Sequence, residues 1–533
     1  MYTGSDESSD RLRQAIDDEI ISLEQSIRVL KSRRNAHALI SRLPPETLAA
    51  IFSFLSTAAN DLKWICVSHV CRQWRETALN YPHLWSHINL SKPAPAAIAE
   101  ILARAKMACL HFEADFTNWR HEHIDAFEKL LEAHISRTRH LKICGPFRPT
   151  LERLISSAPN LESLSLLNKP GLSTQWHLIT RIILFGCIMP SLTSLELEYF
   201  DISWKSGLLK SLQALEIRWP SEDARPELDD WLDALDEMPQ IKMLVLLYAT
   251  PLVPLTASLT PEPSRTVTLP SLTTFYISAS AKDCALALAH LVLPALTRLH
   301  VDAESRDIEG GDVQLLIPYV ARNVYVLQDT EPLRSILIDC KGVRAEVVAP
   351  TMPDTDLKFF DPNVLAQVSV PVRFAFSATG SNWNFGMDTT IMDAFLTLIP
   401  VNSISTLVTR NNIGFSKKFW FSHAPRWPLL ERASLVPSTV NAFIDVLTED
   451  APPDGPRLPR LTELKLVEVK MTDLATWSLR KMLVQRVEQG VPLHVLDLSM
   501  SIAVDGEIDS LREITPAVDV KEPQVAWRNR ALR

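Results

Sequence analysis

The sequence predicts an α/β chain: an amino-terminal helix and a small helical module, followed by an irregular solenoid of short parallel strands alternating with helices. Three observations predict it. A single apolar stripe at helical spacing runs to about residue 34, and a dense set of large apolar residues follows between Leu43 and Trp85. From Pro159 to Leu498 a phrase close to Leu-Pro-x-Leu-x-x-Leu-x-Leu then returns again and again.

The chain can bury a large core without staples, since it has 533 residues of which 46% are hydrophobic. Its net charge of -9 disfavours broad binding to phosphate backbones, so nucleic acid is not an expected partner. The seven cysteines are scattered, without a C-x-x-C pair, which suits a reducing compartment. Residues 1–10 lack the basic start and apolar middle of a secretory signal, so Asn89-Leu90-Ser91 is an idle glycosylation match. The most apolar stretches, around Ile182 to Phe185 and Leu286 to Leu293, are too short for a bilayer and read as core. A soluble cytoplasmic or nuclear protein with no membrane partner is expected.

Residues 1–10 form an acidic start expected to be disordered, and residues 11–36 an amphipathic helix. Ile16, Ile20, Leu23, Ile27 and Leu30 recur at 4-3-4-3 spacing and draw one stripe. Asp17, Asp18 and Glu19 lie early and Arg28, Lys31, Arg33 and Arg34 late, which complements the helix dipole. The stripe fits either a short coiled coil joining two copies or packing within the chain. A seam of only about two heptads favours the second.

Residues 40–90 form the helical module. Pro44-Pro45-Glu46 is a helix start, because proline suits the first turn and Glu46 the positive end of the dipole, while Leu43 can staple the entry. Leu48, Ile51, Phe52 and Leu55 then share one face. A second run, Leu62, Trp64, Ile65, Val67, Val70, Cys71 and Trp74, is apolar on too many sides for a surface helix. Tyr81-Pro82 ends the pattern before Leu84-Trp85 adds another anchor.

Leu43-Pro44-Pro45-Glu46, Leu48, Ile51-Phe52, Leu55, Val70-Cys71-Arg72-Gln73-Trp74-Arg75 and Leu84-Trp85 resemble the F-box throughout its length. The preceding helix ending in Arg33-Arg34-Asn35 and the phrase Trp74 to Leu79 look like the F-box families expanded in mushroom-forming fungi. The resemblance implies binding to a Skp-family adaptor and, through it, to a cullin of a ubiquitin ligase, with no chemistry done by the F-box protein itself. It implies an adaptor-binding set of Leu43, Pro44, Pro45, Leu48, Ile51, Phe52, Leu55, Val70, Cys71 and Trp74, divided between that interface and the module's own core. The plainer reading of any one of them, such as Phe52 or Trp74, is a core residue of a small bundle.

Residues 91–533 form the repeat domain. Copies of the phrase are Leu161, Leu164, Leu166; Leu192, Leu195, Leu197; Leu212, Leu215, Ile217; Ile241, Leu244, Leu246; and Leu272, Phe275, Ile277. Others are Leu296, Leu299, Val301; Leu333, Ile336, Ile338; Leu430, Ala433, Leu435; Leu461, Leu464, Leu466; and Leu493, Leu496, Leu498. Alternation such as Leu195-Glu196-Leu197 predicts a strand with one buried face, and stretches such as 229–238, with Trp231, Leu232 and Leu235 on one side, predict helices between. First positions from 161 to 333 lie 20 to 37 residues apart. The array loosely resembles the leucine-rich repeat, lacking most of its asparagine or cysteine positions but with an unusually regular proline. Residues 342–400 lack the phrase and read as an irregular or divergent segment. The strands would present Ser165, Glu196, Glu216, Lys242, Tyr276, His300 and Lys465 to a target protein that the sequence does not identify.

No phosphate-binding, zinc-protease or nucleophile-elbow motif occurs, and no cofactor is expected. His121, His123, His134 and His140 have the wrong spacing for a helical metal site, and Cys66, His69 and Cys71 read as module residues with small buried cysteines. The expectation is a non-enzymatic substrate receptor. An F-box scaffold acting outside a ligase, or an enzyme with an unfamiliar site within residues 342–400, are the alternatives.

Overall fold

The computed structural model describes residues 4–58, 62–90, 95–117, 119–145, 158–168, 180–181, 189–253, 263–307, 311–330, 332–341, 344–349, 371–378, 385–411, 414–449, 455–470, 473–502, 511 and 519–521. Two compact units divide the chain, residues 1–193 and 194–533.

The first unit begins with α1 (Gly4–Ala36), so residues 4–10, expected to be disordered, are helical. Its side chains from Ser9 to Arg34 are exposed, and the stripe from Ile16 to Leu30 does not pack within the chain as expected. A short 3-10 turn (Leu39–Arg42) leads to α2 (Pro45–Ala58), which starts where the two prolines require. The second apolar run is a 3-10 segment (Leu62–His69) followed by α3 (Arg72–Asn80), and Pro82 opens a further 3-10 turn carrying Leu84 and Trp85.

The chain enters its first strand, β1 (His87–Asn89), directly from that turn, so parallel strands begin before residue 91. After α4 (Pro95–Ala105) come β2 (Leu110–Asp115), α5 (His121–His134), β3 (Thr138–Cys144) and β4 (Ser163–Leu167). The four strands pair in parallel in chain order, which sets Ile88, Phe112, Leu141 and Leu164 in one buried row.

In the second unit β5 (Ser194–Glu198), β6 (Ala214–Arg218), β7 (Met243–Leu247), β8 (Thr274–Ser280) and β9 (Arg298–Ser305) pair in parallel, each with its successor. Two phrase positions become two cross-strand rows: Leu195, Leu215, Leu244, Phe275, Leu299, and Leu197, Ile217, Leu246, Ile277, Val301. Every member is buried. Helices α6 (Leu228–Asp236), α7 (Ala281–Ala289) and α8 (Gly311–Thr330) carry the chain between strands, with Trp231, Leu232 and Leu235 of α6 buried as expected.

The segment without the phrase breaks this order. β10 (Ser335–Lys341) is followed by β11 (Arg344–Ala349), which runs antiparallel to it, and β12 (Val372–Ala378) runs antiparallel to β11. β12 pairs with β9 and β10 with β13 (Thr406–Asn411), so the spatial order is β9-β12-β11-β10-β13. Within residues 342–400 the described residues form β11, β12 and α9 (Phe385–Leu398), a departure from the parallel order, while residues 342–343, 350–370 and 379–384 lie outside the described residues. Parallel order then resumes through α10 (Lys417–His423), β14 (Arg432–Leu435), α11 (Pro437–Thr448), β15 (Glu463–Lys470), α12 (Asp473–Glu488), β16 (Val495–Ile502) and β17 (Asp519–Lys521).

The regular proline has a local cause. The Leu192, Ile241, Leu272, Leu296, Leu430 and Leu461 amides each donate to the carbonyl three residues earlier, closing a turn whose second residue is proline. Proline's fixed φ is pre-set for that position.

Arginines clasp the turns that precede the strands. Arg137 Nη1 donates to the carbonyls of Lys106 and Ala108. Arg322 Nη2 donates to Leu288 (2.7 Å) and Leu291 (3.0 Å), and Arg426 to Leu396 and Ile399. Arg486 donates to Arg457, Leu458 and Leu461, each at 3.1 Å. Lys106 (φ 48°) and Leu458 (φ 47°) are left-handed, a conformation costly for residues with a Cβ, so their carbonyls are held where the backbone most needs support.

Candidate functional site

The module's core is built largely from its own residues, with Arg104 of α4 lying over the Trp85 ring at 4.4 Å. Leu48, Phe52, Trp64, Val67, Leu84 and Trp85 are buried. The Phe52 and Trp74 rings lie 5.0 Å apart and those of Trp64 and Trp85 4.9 Å. The Trp85 indole N–H donates to the Ala78 carbonyl at 2.7 Å, Arg75 Nε to Ser68 at 2.9 Å, and Gln73 Nε2 to Ser41 at 3.3 Å. Buried polar groups around these rings are thereby satisfied, and the short helices are tied to each other.

On α2 the residues at 48, 49 and 52 face this core, whereas Ile51 and Leu55 lie on the adjoining face and remain exposed. Phe54 beside them is 76% exposed, and Val70, in the break before α3, is 59% exposed. Pro44 and Pro45 are exposed, and Leu43, Cys71 and Trp74 are half-buried. The ten residues singled out in the sequence thus divide: Leu48 and Phe52 go to the core, Pro44, Pro45, Ile51, Leu55 and Val70 to the surface, and three sit between. Leu39, Ile40 and Phe54 are further exposed apolar residues that the sequence reading missed. Phe54 lies on the far side of the face drawn through Leu48 and Phe52, but three residues after Ile51, so Ile51, Phe54 and Leu55 form an exposed i, i+3, i+4 set of their own. Cys66 is exposed, not buried as expected, and among the described residues no group of histidine, cysteine or carboxylate side chains could hold a metal ion.

Residues 40–91 match the F-box-like family model. The chain carries an F-box-like domain. No curated protein matches the chain. Among solved structures, a leucine-rich-repeat protein of Leptospira interrogans is similar at 12% identity and a TM-score of 0.26, over 84% of this chain and 98% of that one.

The strand faces opposite the buried leucines are the candidate target surface. Glu196, Glu216, Val245, Tyr276 and His300 occupy one cross-strand row. Val245, which is buried, and not Lys242 is the β7 member of this row; Lys242 precedes the strand, and its ammonium donates to Gln213 at 3.1 Å. Ser165 is buried, so it is not presented as expected. Arg218 Nε donates to Glu216 at 2.6 Å, and its guanidinium lies 3.7 Å from Glu196 and 3.5 Å from Glu198. Burial raises the Glu216 carboxyl above its ordinary value, against the pull of Arg218.

Directly after β5, β6 and β7 the backbone turns left-handed at three aromatic residues, Tyr199 (φ 59°), Trp219 (φ 50°) and Tyr248 (φ 55°). Their amides donate to Arg218, Leu247 and Ser278 on the next strand. Tyr199 and Trp219 stack at 5.2 Å, and the Tyr248 hydroxyl donates to Glu304 at 3.0 Å. Burial first, then the Glu304 charge, pushes the Tyr248 phenol up to about 12. The surface is thus rich in aromatic and carboxylate groups held in fixed positions.

Proposed function

We propose that the chain is the substrate-recognition adaptor of an SCF-type cullin-RING ubiquitin ligase. Its F-box-like domain binds a Skp-family adaptor, and its repeats hold a target protein, so that ubiquitin transfer becomes effectively intramolecular. The observation that carries this reading is the division of the module: its core is complete, yet Ile51, Phe54, Leu55 and Val70 stay in water within a segment that matches the F-box-like model. A unit this small gains from a partner that covers such anchors. The protein itself performs no catalysis, and the cytoplasm or nucleus is where such an assembly would work. Among the described residues no helix is long and apolar enough to cross a membrane. Kinship with fungal F-box families rests on the α1 ending and on the phrase from Trp74 to Leu79.

Affinity purification tests the proposal. The full chain is expected to recover a Skp-family adaptor together with a cullin, and Leu55→Glu with Val70→Glu is expected to lose both without lowering the unfolding temperature. Retention of the adaptor by that variant overturns the assignment of the surface. An adaptor complex free of cullin would favour a scaffold outside the ligase instead.

A further inference from the structure

We propose that the chain self-associates through α1, two copies pairing their amino-terminal helices antiparallel. This does not rest on the ligase reading, because it concerns a helix outside the matched segment. The helix has 33 residues, and Ile16, Ile20, Leu23, Ile27 and Leu30 are each between 48% and 61% exposed. Their 4-3-4-3 spacing makes them consecutive core positions of a heptad pattern, a seam whose ordinary cover is another helix.

The charges beside the seam identify that helix. Asp17, Glu24 and Lys31 flank it on one side, and Glu19, Ser26 and Arg33 on the other. A parallel pair would set Glu19 of each copy against Glu24 of the other, like charge on like, twice. An antiparallel pair that seats Ile20 opposite Leu30 and Leu23 opposite Ile27 brings Asp17 beside Lys31 and Glu19 beside Arg33 of the second copy, each twice. Among the charged flanking residues only Glu24 then meets its own counterpart, and within each helix its carboxylate already lies 3.3 Å from Arg28. Antiparallel packing also sets the positive end of each helix dipole beside the negative end of the other. The same pattern that repels a parallel copy therefore attracts an antiparallel one.

Light scattering and sedimentation of the full chain, across roughly 1 to 100 µM, provide the test. The expected mass is twice 59.9 kDa, falling to the single value for Ile20→Asp with Ile27→Asp, with thermal unfolding unchanged. Asp17→Lys with Glu19→Lys is expected to weaken association about tenfold or more, as is Lys31→Asp with Arg33→Asp, and an equimolar mixture of the two variants to restore it. In a parallel pair Glu19→Lys would strengthen association, since it would face Glu24. A single-chain mass for the unaltered protein over this range overturns the proposal, as does a dimer insensitive to the Ile20 and Ile27 substitutions. A mixture that stays weak overturns the antiparallel arrangement.

Discussion

Arg225 and Asp283, separated by 58 residues of sequence, form a 3.0 Å ion pair with both side chains almost wholly removed from water. Arg225 also donates to the Thr250 carbonyl at 2.7 Å and to its hydroxyl at 3.0 Å, while Asp283 accepts the Val253 amide at 2.9 Å. The pair ties the chain after β6, the chain after β7 and the start of α7 to one point. Asp283→Ala is expected to cost about 3–5 kcal/mol, because it leaves a buried guanidinium without its counter-charge. Urea unfolding of the full chain measures this, and replacing both partners by apolar residues of similar size should cost less than the single change.

The Arg486 clasp predicts a second effect. Three carbonyls depend on one guanidinium, and burial lowers its pKa to about 10, still far above neutrality. Arg486→Ala should destabilise by roughly 2–4 kcal/mol, given about 1.5–3 kcal/mol for a charged hydrogen bond and unsatisfied acceptors left behind. Arg486→Lys should recover little, because an ammonium lacks the planar fork that reaches three acceptors. Equal unfolding midpoints for wild type and Arg486→Ala would argue that water replaces the guanidinium.

His87, His111 and His140 stack across β1, β2 and β3 with centroids 4.3 and 4.2 Å apart. Burial, then the neighbouring charges of His87, His140, Arg139 and His83, push His111 down to about 3. Burial lowers His87 and His140 as well, the latter against the pull of Glu162 at 3.9 Å. Above pH 7 folded and unfolded chains both carry neutral rings, so no stability is lost to them. Below about 6.5 the unfolded chain takes up protons that the folded rings resist, and stability falls as pH drops towards 3. His111→Gln should flatten this dependence, read as a smaller fall in urea midpoint between about pH 7.5 and pH 5.5.

Within the F-box-like domain, core and surface predict opposite responses. Phe52→Ala should cost about 3–5 kcal/mol, as expected for a large buried ring. Phe54→Ala should leave the unfolding midpoint within about 0.5 kcal/mol of wild type. A comparable loss from both would mean that Phe54 is covered in solution.

The fold was legible wherever one periodicity acted alone. The phrase marked strands such as β5 to β9 because Leu195, Leu215, Leu244, Phe275 and Leu299 obey the two-residue alternation of a half-buried strand. β11 was not legible, since its antiparallel place between β10 and β12 is set by neighbours distant in sequence. The histidine stack was hidden for the same reason: His87, His111 and His140 meet only through register, whereas linear spacing drew the eye to His121 and His123. In the module, helical spacing grouped Leu48, Ile51, Phe52 and Leu55 on one broad face. Packing splits that face, because the core touches only its Leu48 and Phe52 side.

The reversal at β10 to β12 makes the second unit more than a stack of interchangeable pieces. Elsewhere in the parallel run a lost repeat could be closed over by its two neighbours, as in other arrays with nearest-neighbour energetics. Here β9 waits for β12, a strand that reaches it only after β10 and β11 have been laid down beyond it. Growth of the sheet from the amino-terminal side must therefore pause at β9 until more than seventy later residues have been synthesised. In evolution, too, units can be gained or lost on either side of this locked triplet more readily than within it.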